Sequence, residues 1–311
     1  MSLLITCGDV NGIGPELALK ILDDNNIRNL YDLKIVIPES VLDFYSGLLK
    51  IKRPDNKDII NIPDFGIRIK PGKIDYKAGR IAGDAIRIAA ELCLRKNYDG
   101  IVTLPISKKT FNLAGYNFPG HTEYLSALTG CKSTIMIMYS EKLIVTPVTI
   151  HIPLKNVVRT LGKKLLKSNI EILNKTLKDN FKIANPQIAL LSINPHCGDG
   201  GLLGFEEKTK IEPVLKELKE KGINVSGPFP ADGFFGTGAY RNYHATAGMY
   251  HDQVLVPFKL ISDGNGVNYT GGLPVIRTSP THGTAFDIAG KGIADIRSSV
   301  AAIKLASKLV K

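Results

Sequence analysis

The order of apolar runs most constrains what this chain can become. Short stretches of aliphatic and β-branched residues alternate with longer ones whose apolar positions recur at helical spacing. SLLITC (2–7) precedes PELALKILDD, and DLKIVIP precedes ESVLDFYSGLL. KAGRIAGDAIRIAAELCLRK carries Ala78, Ile81, Ala82, Ala85, Ile86, Ala89 and Leu92 on one helical stripe and leads into YDGIVTLP, which reads as a buried strand. Further on, STIMIMYS and LIVTPVTI read as two strands split by Glu141-Lys142, and QIALLSIN as another. GFEEKTKIEPVLKELKEKG reads as a helix stopped at Gly222, INVSGPF as a strand, and ADIRSSVAAIKLASKLV as a closing helix. Helices between successive strands call for crossover connections, so the expected class is α/β with mostly parallel strands. There is no internal repeat and no low-complexity linker.

A chain of 311 residues is long enough for one large domain or two ordinary ones. With 44% apolar and 22% charged residues it has the balance of a globular protein. No run reaches the roughly 18 apolar residues of a membrane span. MSLLITCGD has no basic n-region and no small-residue cleavage site, so no secretory signal is expected. Cys7, Cys93, Cys131 and Cys197 are scattered and form no CxxC pair, which argues against a disulfide framework or a cysteine zinc site and fits a reducing cytoplasm. The net charge of +11 is spread over amphipathic stretches such as LGKKLLKSNIEILNKTLKDN without interleaved aromatics. It therefore reads as a solvated surface with a mild pull on anionic substrates, and no nucleic-acid or membrane partner is expected.

The segments richest in Gly, Pro and His are 115–123, 194–206, 227–243 and 263–292, and they are expected to be loops at strand ends, where open α/β sheets build their ligand crevices. ITCGDVNGIGPE reads as strand, glycine loop and helix start. It is neither a Walker A loop nor GxGxxG, and a plain turn and an anion site fit it equally. Five of the six histidines (His121, His151, His196, His251 and His282) sit beside loop-forming or polar residues. No HExxH or HxH pair exists, so a metal site would have to gather imidazoles from distant strand ends. Three of them would leave an open position on a catalytic divalent ion, with zinc the default. Asp252 and Asp199 stand beside these histidines as groups that could orient the rings. Cys197 follows His196 in what reads as an extended stretch, where neighbours point apart, so it is expected to pack and not to ligate. Lys259, Asn268 and Arg277 fall nine residues apart in a glycine-rich segment. Converging, they would bind phosphate and carboxylate groups, and the apolar flanks VLVPFK and LPVIRT place both cations at the ends of buried strands.

GDVNGIGPE, PGHTEYLS, NPHCGDGGLLGFEE, GPFPADGFF, MYHDQVLVPFK and GVNYTGGLPVIRTSPTHGTAFDIAGKGIAD, in this order, resemble the 4-hydroxythreonine-4-phosphate dehydrogenase family of pyridoxal phosphate biosynthesis. The resemblance runs from residue 8 to residue 295. It implies an isopropylmalate dehydrogenase-like fold of two α/β/α subdomains with the active-site cleft between them. The expected boundaries are 1–120 plus 276–311 for the cofactor side and 121–275 for the side with the metal ligands and dimer interface. His151, His196 and His251 would bind one divalent metal, drawn from two subunits of a homodimer. Zinc suits that set, with magnesium, manganese or cobalt as alternatives. His121 and Thr122 would contact substrate; Lys259, Asn268 and Arg277 would hold its phosphate and polar groups. Lys259, with Asp252 beside the metal, would take part in catalysis. His282, Gly283, Thr284 and Asp287 would edge the NAD or NADP site, with Asp287 toward the adenosine ribose. The implied reaction is oxidation of 4-phosphooxy-L-threonine at its 3-hydroxyl, followed by loss of CO2 to give 3-amino-2-oxopropyl phosphate. The alternatives are a dehydrogenase of threonate or erythronate 4-phosphate and, from another class, a non-redox phosphate acyltransferase. Val10-Asn11, Asp199, Gly233 and Val254 depart from the family's usual residues, and none of them is an implied ligand.

Overall fold

The protein is described by a computed structural model covering residues 2–310. The strands in chain order are β1 (Ser2–Thr6), β2 (Asp32–Ile37), β3 (Ile59–Asn61), β4 (Gly100–Thr103), β5 (Ile135–Ser140), β6 (Leu143–Thr149), β7 (Ile188–Leu191), β8 (Val225–Phe229), β9 (Ala245–Tyr250), β10 (Val267–Gly271) and β11 (Ile276–Pro280). The chain divides into two compact units, Met1–Ser133 with Leu273–Lys311, and Thr134–Gly272. The fold is α/β with mostly parallel strands and helices on both sides.

In the first unit the strands lie in the order β3-β2-β1-β4-β11, every pairing parallel. Strands β1, β4 and β11 are buried almost from end to end, as expected where both faces of a parallel sheet are covered. The helix Tyr76–Leu94 shows how the sequence dictates the packing. Asp75 caps it by accepting from the Lys77 N–H at 2.8 Å. Its stripe is buried at Ala78, Ile81, Ala82, Ala85, Ile86 and Ala89, while Leu92 is half-buried. Two glycines on that face set the approach of its neighbours. A β-carbon on Gly79 would lie 2.1 Å from the Thr110 carbonyl oxygen, and one on Gly83 would lie 2.2 Å from the Tyr116 ring. Phe111 stacks on Tyr116 (centroids 4.6 Å apart) and meets Tyr124 edge-on at 5.3 Å.

That aromatic cluster binds the helix His121–Thr129 into the first unit. The division consequently falls after Ser133, not after residue 120, and the return falls at Leu273, not at 276. His121 and Thr122 thus belong to the first unit, on the other side of the boundary expected from sequence.

In the second unit the order is β10-β5-β6-β9-β7-β8. β10–β5 and β5–β6 are antiparallel, and the remaining pairs are parallel. Met138, Val145, Leu191, Phe234, Val254, Leu255 and Phe258 form much of its core.

Two readings are corrected here. The run VLVPF is not a strand: His251–Ser262 is a helix with Pro257 inside it. Helical rotation buries Val254, Leu255 and Phe258 and leaves Val256 and Leu260 exposed. A run of five apolar residues fits a strand or a buried helix equally, and here β9, immediately before it, already supplies the strand. The glycine-rich segment 263–292 is likewise not all loop, since it contains β10 and β11. Asn268 and Arg277 sit within those strands, so the sheet fixes their backbones.

Candidate functional site

In the second unit, His251 opens its helix directly after β9. Its Nδ1 lies 2.6 Å from Asp252 Oδ1, which orients the ring and leaves Nε2 for a ligand bond. Gln253, the next residue, braces the backbone: its Oε1 accepts from the Met249 N–H at 2.7 Å and its Nε2 donates to the Ser192 carbonyl at 2.6 Å. The start of the helix is thereby tied to the ends of β9 and β7. His151 follows β6 in the left-handed region, at φ 48°. Its ring centroid lies 5.6 Å from that of His251, the planes inclined at 41°. A tetrahedral ion about 2.0–2.1 Å from each ring nitrogen places two centroids roughly 5 Å apart. The pair therefore fits two ligands of one divalent cation.

His196 is exposed and lies in a run of left-handed residues, His196, Cys197, Gly198, Asp199 and Gly200, at φ 50°, 55°, 77°, 43° and 68°. Non-glycine residues hold that conformation only where their surroundings enforce it. One enforcing group is Glu207, which sequence reasoning missed. Its buried carboxylate accepts from the Ile193 N–H (2.9 Å), the Asn194 N–H (2.8 Å) and Asn194 Nδ2 (2.9 Å). The expectation for Cys197 rested on an extended backbone, which the structure does not have; its Sγ instead lies 3.3 Å from the Pro228 carbonyl. Among the described residues no group of three or more His, Cys, Asp or Glu comes close enough to hold a metal. One chain thus brings His151 and His251 together and leaves His196 outside that pair.

Lys259 is exposed on the same helix as His251. Eight residues separate the two, about 12 Å along a helix axis. This corrects the placement of Lys259 at the end of a buried strand. Asn268, on β10, has its Oδ1 buried without a hydrogen-bond partner among the described residues.

In the first unit, Arg277 is 2% exposed. Thr103 Oγ1, on the adjacent β4, accepts from its Nε at 3.0 Å and from its Nη2 at 2.6 Å. Burial pushes the guanidinium down to about 9, with Glu123 opposing, so it remains a cation at neutral pH. Burial, and then the charge of Arg277, hold the His121 imidazole well below its usual range, against a hydrogen bond with the Leu104 backbone. His121 is therefore neutral at pH 7, and its Nε2 is buried without a partner among the described residues. Thr122, half-buried, is the next residue of the same helix.

The segment 282–287 is irregular, with Ala285 at φ 43°. His282 Nε2 is likewise buried and unpartnered among the described residues, while Gly283 and Asp287 are exposed and Thr284 is half-buried. Native folds seldom leave buried polar atoms unsatisfied. Three of the implied contact residues, His121, Asn268 and His282, carry such atoms, which suits groups that meet a polar ligand.

The chain matches the sequence model of the family described as pyridoxal phosphate biosynthetic protein PdxA over residues 17–306. It is 41% identical to a 4-hydroxythreonine-4-phosphate dehydrogenase of Bacteroides thetaiotaomicron, over 97% of this chain and 86% of that one. It is 40% identical to one of Prosthecochloris aestuarii, over 97% and 95%. The crystal structure of 4-hydroxythreonine-4-phosphate dehydrogenase from Klebsiella pneumoniae superposes with a TM-score of 0.91 at 34% identity, covering 100% of this chain and 99% of that one. Likeness in sequence and in fold over essentially the whole length places this chain in the PdxA family of pyridoxal phosphate biosynthetic proteins.

Proposed function

We propose that this chain is a divalent-metal-dependent dehydrogenase of pyridoxal phosphate biosynthesis. It oxidises 4-phosphooxy-L-threonine at the 3-hydroxyl with NAD or NADP, and the β-keto acid loses CO2 to leave 3-amino-2-oxopropyl phosphate. The observation that carries this reading is the full-length likeness to relatives bearing the name of that dehydrogenase. The His151–His251 pair supports the metal dependence.

When bound, the cation would supply Lewis-acid polarisation of the alcohol oxygen and the nicotinamide a hydride acceptor. His151, His196 and His251 hold the cation. His196 lies outside the His151–His251 pair among the described residues, and on this reading it would come from a second copy, in a homodimer. Zinc suits three neutral imidazoles, and magnesium, manganese or cobalt can replace it. Asp252 keeps the His251 ring in its ligating orientation. Lys259, in its neutral amine form, would take the hydroxyl proton, from whichever copy presents it to the substrate. Arg277 grips an anionic group with its planar fork, for which lysine is a poor substitute. Asn268 and Thr122 add polar contacts, and neutral His121 adds one that repels no cation. His282, Gly283 and Thr284 edge the dinucleotide site, and the Asp287 carboxylate accepts from the ribose hydroxyls. The working compartment is the cytoplasm, consistent with four free cysteines.

The test is a substrate panel: 4-phosphooxy-L-threonine, threonate 4-phosphate and erythronate 4-phosphate, each with NAD and divalent metal, following nicotinamide reduction and CO2 release. Turnover that strongly favours the amino acid phosphate supports the reading. Preference for either sugar-acid phosphate, or no reduction with any substrate, overturns it.

A further inference from the structure

The segment GDVNGIGPE fits a plain turn or an anion site from sequence, yet its polar groups are engaged by the protein itself. The Gly12 N–H donates to the Asp9 carbonyl at 2.9 Å, and the Ile13 N–H to the Thr284 carbonyl at 3.0 Å. Asn11, fully buried, brackets the turn 70–73. Its Nδ2 donates to the Lys73 carbonyl at 2.9 Å, its Oδ1 accepts from the Lys70 N–H at 2.9 Å, and its carbonyl accepts from the Gly72 N–H at 2.7 Å. Both glycines abut the segment 284–286 closely, Gly12 with little room for a side chain and Gly72 with none. A β-carbon on Gly12 would lie 3.0 Å from the Thr284 carbonyl oxygen, and one on Gly72 would lie 2.7 Å from that of Phe286.

One turn further along, an ion pair between buried Glu16 and half-buried Lys20 grips the other end of the same loop. Glu16, 0% exposed, accepts from the Ala294 N–H at 2.7 Å and the Gly292 N–H at 3.1 Å. Lys20 pairs with Glu16 at 3.0 Å and donates to the carbonyls of Gly292 (3.0 Å) and Ala294 (2.8 Å). Side chains one helical turn apart thus engage the N–H and the C=O of both loop residues. The loop needs this, because residues 281–296 contain neither helix nor strand to hold them. Ordering such a segment costs conformational entropy that its own turns recover only in part.

We propose that Asn11, Glu16 and Lys20 are positioning residues that hold the loop 282–294 in the shape in which its His282–Asp287 edge receives the dinucleotide. This rests on the assignment of that edge to the cofactor. It gives the N-terminal motif a role that neither of its sequence readings contained: it is a clamp on the cofactor loop. The two chemistries of the pair are both needed, since a carboxylate can only accept, here from N–H groups, and an ammonium can only donate, here to carbonyls. Removing Lys20 alone would strand the Glu16 carboxylate in the interior.

The experiment uses the full-length protein. Wild type is first titrated with NAD and NADP by calorimetry; absence of binding to either overturns the cofactor assignment and leaves the clamp to be judged by exchange alone. Amide hydrogen exchange is then measured for Glu16→Gln and for the charge-free double variant Glu16→Gln/Lys20→Met, which keeps the fold where the single variant does not. The expected result is exchange at Gly292 and Ala294 faster by about tenfold or more, with protection elsewhere in the unit retained. The dinucleotide KM and Kd should rise severalfold, while kcat and the KM for the phosphorylated substrate stay within about twofold. Asn11→Ala should give the same pattern with faster exchange centred on 70–73. Unchanged exchange in the loop overturns the proposal, and so does a loosened loop with unchanged dinucleotide affinity.

Discussion

At Arg277 a cation is buried within a strand, and a neutral hydroxyl on the neighbouring strand accepts two of its N–H groups. A hydrogen bond to a charged group contributes about 1.5–3 kcal/mol, roughly ten- to a hundredfold in an affinity. Thr103→Val should therefore raise the KM for the phosphorylated substrate by about tenfold or more, with the dinucleotide KM little changed, and Thr103→Ser should restore it. Steady-state kinetics on the three proteins checks this, and equal defects in valine and serine variants would contradict it. Arg277 was legible in the sequence because a charge inside LPVIRT needs a reason. Thr103 was not, since threonine inside GIVTLP is ordinary strand composition and nothing local announces its partner on β11. Asp9 was equally silent. It is buried, and burial pushes its carboxyl up to about 6, against hydrogen bonds from Thr110 Oγ1 and the Asn11 N–H. A carboxyl raised in the folded state binds its proton more tightly there than in the unfolded chain. Its contribution is thus favourable below the unfolded value of about 3.9 and is lost as pH rises through about 6. Relative to wild type, Asp9→Asn should gain on the order of 2 kcal/mol of stability between pH 4 and pH 7, read by urea denaturation at several pH values. A constant difference across that window would show that Asp9 titrates normally.

Among the elements, the helix Tyr76–Leu94 is the one whose sequence specified it most fully. The stripe and the following strand were both visible in one string of residues, and the structure adds the Asp75 cap just before it. What the string did not show was why glycine recurs at 79 and 83. The reason lies in helix Lys108–Leu113 and Tyr116, which approach those positions. Gly79→Ala puts a methyl group against backbone, which cannot rotate away. It should cost about 3 kcal/mol, the upper end for overpacking, despite the better helix propensity of alanine. Thermal unfolding measures it, and a Tm equal to or above wild type would contradict the packing account. The helix His251–Ser262 is the opposite case. Its five-residue apolar run and internal proline imitate a strand, and only the presence of β9 immediately before it decides the matter. The left-handed run His196–Gly200 lay further from view. Its glycines were readable as a loop, but the conformation of His196 and Cys197 depends on Glu207, buried under the loop from the next turn of chain.

At the scale of the whole molecule, the α/β class followed from the alternation of elements, and the family from the order of six motifs spread over nearly the full chain. The division into units was harder. Contiguous cuts at 120 and 276 look natural in the sequence, yet the aromatic contacts of Phe111, Tyr116 and Tyr124 carry the boundary to Ser133. The candidate site was legible as residue types and only partly as geometry, because pairing of His151 with His251 depends on β6 and β9 lying side by side in parallel register, with Thr149 opposite Tyr250. The third imidazole proposed from a second copy would be a property of an assembly, which one chain does not spell out. The most direct measurement is therefore metal content and turnover on the same samples: wild type and His251→Ala, each purified, chelator-treated and reloaded with zinc, then assayed with 4-phosphooxy-L-threonine and NAD. The account predicts about one zinc per wild-type active site, turnover lost on chelation and regained on reloading, and a folded variant with neither tight zinc nor turnover. Wild-type turnover that survives complete removal of metal, or a His251→Ala protein that keeps both zinc and activity, would contradict it.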